Sequence, residues 1–272
     1  MTCPHCESTA TTERPDRTAL GYRRFRCRTC PRGFNERTGT PFNSLEYLTD
    51  VVCLVVFWRH RYKLSLRDLA EMFLQRGIIF THEAGRHWER KLAPLLSVTL
   101  RKRRYGTVGT SWYVDETYVR VDGRWQYLYR AIDRAGNLVD VRLSDIRDLA
   151  AAEAFFRSAW TTTGVTPERI TTDGHDAYPR AIRTVFGAQV THRTNRYLNN
   201  HLEQDHRGIK QRYRPMGGFK RGTTAARFCR LFDEVRAFLR PQAHRNQSLS
   251  LAQRRAIHQE RCTQLMGLMA RG

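Results

Sequence analysis

The chain has 272 residues, 40% of them hydrophobic, and carries 47 Lys and Arg against 26 Asp and Glu, for a formal net charge of +21. A charge of that size calls for a polyanion, and nucleic acid fits best because basic side chains release the counterions condensed on phosphates; an anionic membrane surface or a merely scattered positive surface is the weaker explanation. The longest apolar run, Val51 to Trp58, is too short to span a bilayer and no signal-peptide pattern opens the chain, so a cytoplasmic setting is expected, with seven reduced cysteines rather than a disulfide scaffold.

Residues 1–42 are rich in Cys, Arg, Thr and Gly and cannot build a hydrophobic core of their own. Cys3 and Cys6 form one C-x-x-C pair and Cys27 and Cys30 another. Two-residue spacing lets a tight knuckle present two thiolates to one tetrahedral Zn²⁺, and two knuckles close a structural site. Residues 1–42 are therefore predicted to be a zinc ribbon that draws its folding energy from the metal. A redox pair is the alternative. His5 lies inside the first knuckle as a bystander. Arg23, Arg24, Arg26, Arg28 and Arg32 surround the second knuckle with Tyr22 and Phe25, a mix that suits phosphate contact with stacking, or simple packing of the ribbon. Cys53, Cys229 and Cys262 match no ligand spacing.

Residues 43–100 read as helical. Ser65 and Asp68 have capping-box spacing, and Leu66, Leu69, Ala70, Phe73 and Leu74 mark a buried face. Gly77 breaks that helix, and Thr81 caps a second one holding Trp88 and Leu92. The pair predicts a helix-turn-helix that would present Arg86, His87 and Arg90 to a DNA groove, with an ordinary helical hairpin as the alternative. Residues 101–110, basic and Gly-containing, are expected to be a linker.

From 111 to 240 strands and helices alternate. Strands are predicted at Ser111–Val121, Trp125–Ile132, Leu138–Leu143, Arg169–Thr172 and Gln189–His192, with a hairpin turn at Asp122-Gly123. Helices are predicted at Asp148–Trp160, Ala177–Val185 and Asn199–Tyr213. The order β-β-β-α-β-α-β-α describes an α/β fold with a ribonuclease H-like mixed sheet, preceded by the zinc ribbon and the helix-turn-helix. Residues 241–272 read as a basic helical tail.

Three carboxylates stand out. Asp115 sits mid-strand among aromatic and β-branched residues, where an acid is disfavoured unless something such as a metal needs it. Asp173 ends a short strand, at the carboxyl edge where α/β sheets gather their sites, although Asp there can also cap a helix. Glu203 lies on the last predicted helix, as an N3 residue after Asn200 or as the head of a face that continues through Arg207, Lys210 and Arg214. Three carboxylates are what two Mg²⁺ or Mn²⁺ ions require of a protein when water and phosphate oxygens complete their shells.

Ser111-Trp-Tyr-Val-Asp-Glu-Thr-Tyr118, Tyr127-Leu-Tyr-Arg-Ala-Ile-Asp133, Ile170-Thr-Thr-Asp173 and Tyr197-Leu-Asn-Asn-His-Leu-Glu-Gln-Asp-His206 occur in that order. With Leu64-Ser-Leu-Arg-Asp-Leu69, Arg214-Pro-Met216 and Gly218-Phe-Lys220, they resemble the DDE transposases of the insertion sequence 6 family of bacteria and archaea, over about residues 60 to 240. The four-cysteine ribbon resembles those of some transposases. The resemblance implies a catalytic, metal-binding triad of Asp115, Asp173 and Glu203 with two Mg²⁺ ions, inverted-repeat DNA ends as substrate, and Lys210 as a contact to the transposon end. It also implies double-stranded DNA as partner, a homodimer or higher oligomer on that DNA, and association with a prokaryotic nucleoid. One departure is the spacing: 29 residues lie between Asp173 and Glu203, several fewer than the family pattern, and the deletion falls before Val190. A transposase that cuts element ends and joins the freed 3′-OH to target DNA is the leading expectation. A ribonuclease H-like nuclease or resolvase that only hydrolyses, and a non-enzymatic zinc-containing DNA-binding regulator, are the rivals.

Overall fold

The structure is a computed structural model. It describes residues 1–195, 200–240 and 249–271, except for the side chains of 200–205 and 271. At the N-terminus β1 (Thr11–Arg17), β2 (Arg23–Cys27) and β3 (Gly33–Asn35) form an antiparallel sheet in that order. Its core is small: Cys3, Phe25, Cys27 and Phe34, with the two rings stacked at 5.4 Å. Of the aromatics near the second knuckle, Phe25 packs inward, and Tyr22 reaches the next domain. The Tyr22 hydroxyl accepts from the Thr49 backbone N–H at 2.8 Å, capping a helix whose own N-cap residue offers no side-chain bond. Arg37 is buried beside it, its guanidinium over the Tyr22 ring and donating to the carbonyls of Tyr47 and Phe42.

Helices α1 (Thr49–Arg61), α2 (Leu66–Leu74) and α3 (His82–Arg103) follow. The predicted capping box forms, with Ser65 and Asp68 each bonding the other's backbone N–H at 2.6 and 3.1 Å. Thr81 caps α3 through the Ala84 N–H at 3.2 Å. The apolar run of α1 packs against Leu69, Phe73, Trp88, Leu92 and Leu96 as one core. Gly85 permits the close crossing of α2 and α3, since a Cβ there would stand 3.1 Å from Leu66.

Residues 101–110 do not form the expected linker. Helix α3 continues through Arg103, and its basic end is plugged into the next domain. Arg101 donates to Asp140 at 2.6 Å, and Arg104 makes a two-pronged bond to Glu234 at 2.8 and 2.9 Å while reaching the carbonyls of Leu138 and Val139. Asp140 and Glu234 are almost fully buried, so these charges are spent on joining the domains. The expected basic tail likewise docks: α8 (Leu251–Arg271) buries Leu265 and Met269 in the helical core.

The second sheet holds β4 (Ser111–Val121), β5 (Arg124–Asp133), β6 (Leu138–Ser144), β7 (Arg169–Thr172) and β8 (Thr191–Thr194) in the order β6-β5-β4-β7-β8. The first three are antiparallel; β7 joins β4, and β8 joins β7, in parallel. This is the ribonuclease H-like mixed sheet expected from the sequence. The β4–β5 turn has positive φ at both Asp122 (48°) and Gly123 (77°), the backbone that Asp-Gly supplies most readily. Helices α4 (Leu149–Thr163) and α5 (Ala177–Phe186) cover one face over Trp112, Val114, Tyr129 and Ala131. Helices α6 (Asn200–Tyr213) and α7 (Gly222–Leu239) cover the other over Val119, Val121, Leu128 and Val141. Helix α7, not predicted as a separate element, faces two cores. Leu231, Val235 and Leu239 enter the helical one, and Phe228, Cys229 and Phe232 the sheet's.

Candidate active site and metal centres

Parallel pairing of β4 with β7 sets Tyr113 opposite Thr171. Two residues further, at the end of β7, Asp173 comes level with Asp115. The chain then turns: Asp173 accepts from the His175 N–H at 3.2 Å, while the N-cap of α5 is Asp176. Asp173 is thus not the helix cap that the sequence left open. Carboxylate oxygens of Asp115, Asp173 and Glu116 all lie within 4.8 Å of one another.

The three acids are held differently. Glu116, 3% exposed at its side chain, accepts from the Tyr178 hydroxyl and is contacted by the Arg147 guanidinium. Arg147 also reaches Asp173 at 3.2 Å. Asp115 has little support: the Glu116 backbone N–H at 2.9 Å, and the His206 imidazole at 3.9 Å. Burial, then the charges of Glu116 and Asp173, push Asp115 up to about 7. Burial also raises Glu116. His206 cannot neutralise Asp115, because burial, with Arg130 and Lys210 nearby, pulls its imidazole down to about 3. Asp115 is therefore a buried carboxyl with spare acceptor capacity, in a cluster whose negative charges repel one another.

Of the remaining predicted residues, Glu203 lies on α6, one turn before His206, and its side chain is outside the described residues. Further along α6 and just past its end, His206, Arg207, Lys210, Gln211 and Arg214 line a groove of about 490 Å³, so Arg207, Lys210 and Arg214 share one surface. Between Asp173 and Glu203, α5 and β8 are joined by the short turn 187–190. Gly187 makes that short turn at φ 90°, and a Cβ there would strike Gln189 at 2.4 Å. Arg86 and Arg90 are exposed on α3, some way from the acids in sequence, with Arg86 ion-paired to Glu83 at 2.5 Å.

The four cysteines meet as predicted. Cys3 Sγ lies 3.6 Å from Cys30 Sγ, and Cys6 Sγ 3.6 Å from Cys27 Sγ. The edge of a tetrahedron with Zn–S bonds of about 2.3 Å is about 3.8 Å, so the spacing suits one Zn²⁺. Backbone N–H groups of Cys30 and Thr29 point at Cys27 and pull its thiol down to about 6, favouring the thiolate a metal requires. His5 is exposed and outside this cluster.

A family profile described as a DDE domain matches residues 109–242. The transposase for insertion sequence-like element IS431mec of Staphylococcus aureus is 35% identical over 175 residues, covering 63% of this chain and 77% of the relative. The transposase for insertion sequence element IS257 in transposon Tn4003, also from Staphylococcus aureus, matches with the same identity and coverage. The chain belongs to the insertion sequence 6 family of DDE transposases. Among solved structures, the HTLV-2 integrase catalytic core domain in complex with magnesium covers 56% of this chain and 99% of that chain, at TM-score 0.38 and 17% identity, too distant to add to the assignment.

A DDE transposase is a polynucleotidyl transferase, and enzymes of this type work with divalent metal ions. The donor set here fits them. Carboxylate oxygens are the ligands that hard cations prefer, and three of them, from Asp115, Glu116 and Asp173, lie within 4.8 Å of one another, close enough to converge on one cation. A cation would also relieve the repulsion that raises Asp115. Sequence reasoning missed Glu116 and Arg147. Adjacent strand residues point to opposite faces, which separates Glu116 from Asp115 in a sequence pattern; its carboxylate nevertheless joins the cluster, beside the end of β7. Arg147 lies outside the strands and helices of the sheet, in a loop that carries no motif.

Proposed function

We propose that the chain binds the terminal inverted repeats of an insertion sequence, cleaves at the element ends and transfers the resulting 3′-OH to target DNA. The observation that carries this reading is the level pairing of Asp115 with Asp173 at the open end of the sheet, beside a basic groove on α6. Asp115, Asp173 and Glu203 are the catalytic ligand set that would hold two Mg²⁺ or Mn²⁺ ions, with Asp115 as the common ligand. Such ions would supply activation of the attacking oxygen and stabilisation of the leaving one. Asp115 is suited to the shared position because its spare acceptors face the cluster while Glu116 is already committed to Tyr178 and Arg147. Arg207, Lys210 and Arg214 bind the phosphates of the strand entering the site, and Arg86 and Arg90 of the helix-turn-helix contact the end sequence. Structural Zn²⁺ on Cys3, Cys6, Cys27 and Cys30 keeps the ribbon folded. The active species is a dimer or higher oligomer that holds two DNA ends in a nucleoid setting.

A duplex bearing the terminal repeat with a pre-cut 3′-OH tests the reading. Mixed with plasmid and Mg²⁺, it should give plasmid covalently joined to the labelled end. Nicked plasmid without joined product would favour a nuclease, and bound but unchanged DNA would favour a regulator.

A further inference from the structure

Among the described residues, no helix covers the face of the β4–β5 hairpin beyond the carboxylates. Cross-strand pairing places Glu116 opposite Tyr129, Tyr118 opposite Tyr127 and Arg120 opposite Trp125, all on the same side of the sheet. Tyr129 is buried under Phe155 of α4. Further out the cover ends, leaving Tyr118 46% and Trp125 58% exposed. The rings nevertheless touch each other. Tyr118 meets Tyr127 at 5.3 Å and Trp125 at 6.2 Å, and the Arg120 guanidinium lies over the Trp125 ring at 5.9 Å. The cross-strand contacts hold the rings in place, yet much of their apolar area stays open to solvent as one contiguous patch, the kind of surface that marks an interaction site.

We propose that Tyr118, Trp125 and Tyr127, with Arg120, form a stacking platform for unpaired DNA bases next to the carboxylate cluster. Three features select nucleic acid over a protein partner. Aromatic faces next to arginine are the combination that binds single-stranded nucleic acid, bases stacking on rings while the cation meets the backbone. The chain's net charge of +21 complements a polyanion. The platform also runs straight from the acids. Glu116 to Arg120 spans four residues of strand, about 13 Å at about 3.3 Å per residue, or about four nucleotides at the 3.4 Å stacking distance. The platform lies on the Glu116 face of the sheet, opposite the face from which Asp115 meets His206, so a strand that reaches the cluster past Glu116 would place its next few bases over Tyr118 and Trp125 once they separate from their complement. This rests on the proposed DNA-end function, and gives it a means of holding an end in a frayed state.

The test measures binding without Mg²⁺, so it does not depend on whether the acids catalyse. Fluorescence anisotropy of the full chain with its zinc in place compares a labelled duplex with an oligothymidine 3′ overhang and the same duplex with blunt ends. Wild type should prefer the overhang by about tenfold, the value of one good stacking contact. The double variant Trp125→Ala, Tyr118→Ala should lose that preference while keeping its affinity for the blunt duplex, and Trp125→Phe with Tyr118→Phe should restore it. Equal affinity of wild type for both probes, or an undiminished preference in the alanine variant, overturns the proposal. So does a change of oligomeric state in the alanine variant, seen by sedimentation, with the overhang preference unchanged, since that would make the face a protein interface.

Discussion

Replacing Asp115 by Asn should stabilise the metal-free protein while removing its proposed catalysis. The carboxyl is 17% exposed at its side chain and is raised from 3.8 to about 7 by burial and by Glu116 and Asp173. A carboxyl whose folded-state value is raised favours the folded chain only when protonated. Its destabilising effect is thus absent below about pH 3.8, grows as pH rises, and is complete above about 7. Three tenfold steps at about 1.36 kcal/mol each set a ceiling of ~4 kcal/mol. Residual solvation and local relaxation bring the expected gain on substitution to about 1–3 kcal/mol, several degrees in Tm for a chain of this size. The assay is thermal unfolding of wild type and Asp115→Asn across pH 4 to 9, in Mg²⁺-free buffer that leaves zinc in place. The two curves should coincide in acid and separate as pH passes from 4 to 7, with the Asn variant on top. A variant that is less stable at alkaline pH, or stabilised equally at all pH values, would refute the claim that charge repulsion is stored at this position.

Three other substitutions probe the parts around it. Cys27→Ser should leave less than one zinc per chain by elemental analysis and weaken DNA-end binding, with α1–α3 and the second sheet still folded by circular dichroism; full zinc retention would contradict the four-thiolate site. Arg104→Ala strands the buried Glu234 carboxylate and should cost about 3–5 kcal/mol in urea unfolding, as for other broken buried ion pairs. A loss under about 1 kcal/mol would mean that water or Arg101 takes over. Arg147→Gln removes the cation that sits between Glu116 and Asp173, so Mn²⁺ should bind more tightly by calorimetry; weaker binding would show that Arg147 orients the acids rather than competing for them.

How far the sequence could be read depended on how local each interaction is. The cysteine spacing, the Ser65–Asp68 box and the Asp122-Gly123 turn are each complete within a few residues, and each forms as expected. Asp115 was conspicuous because a strand offers no local reason for an acid. What stayed hidden has distant partners. Arg101 and Arg104 looked like a solvated linker because Asp140 and Glu234 lie far along the chain. Helix α7 carries an apolar stripe of Ala225, Phe228, Cys229, Phe232, Val235 and Leu239, but the pattern could not say that it serves two cores or that Asp233 and Glu234 beside it are buried on distant arginines. Tyr22 could be read from the sequence either as a stacking aromatic or as packing of the ribbon, and its hydroxyl caps α1 across the domain boundary. Glu116 was hidden by the two-residue period itself, which sorts neighbouring strand residues to opposite faces and says nothing of side chains meeting where the neighbouring strand ends.

The claim that Asp115, Asp173 and Glu203 together hold the catalytic ions can be tested by replacing Mg²⁺ with Fe²⁺ in the presence of end DNA and adding ascorbate, so that radicals made at the metal cut the nearby backbone. The account predicts scission next to all three residues, lost throughout in Asp115→Asn. Cuts at 115, 116 and 173 with none near 203 would contradict it, and would give the third position to Glu116.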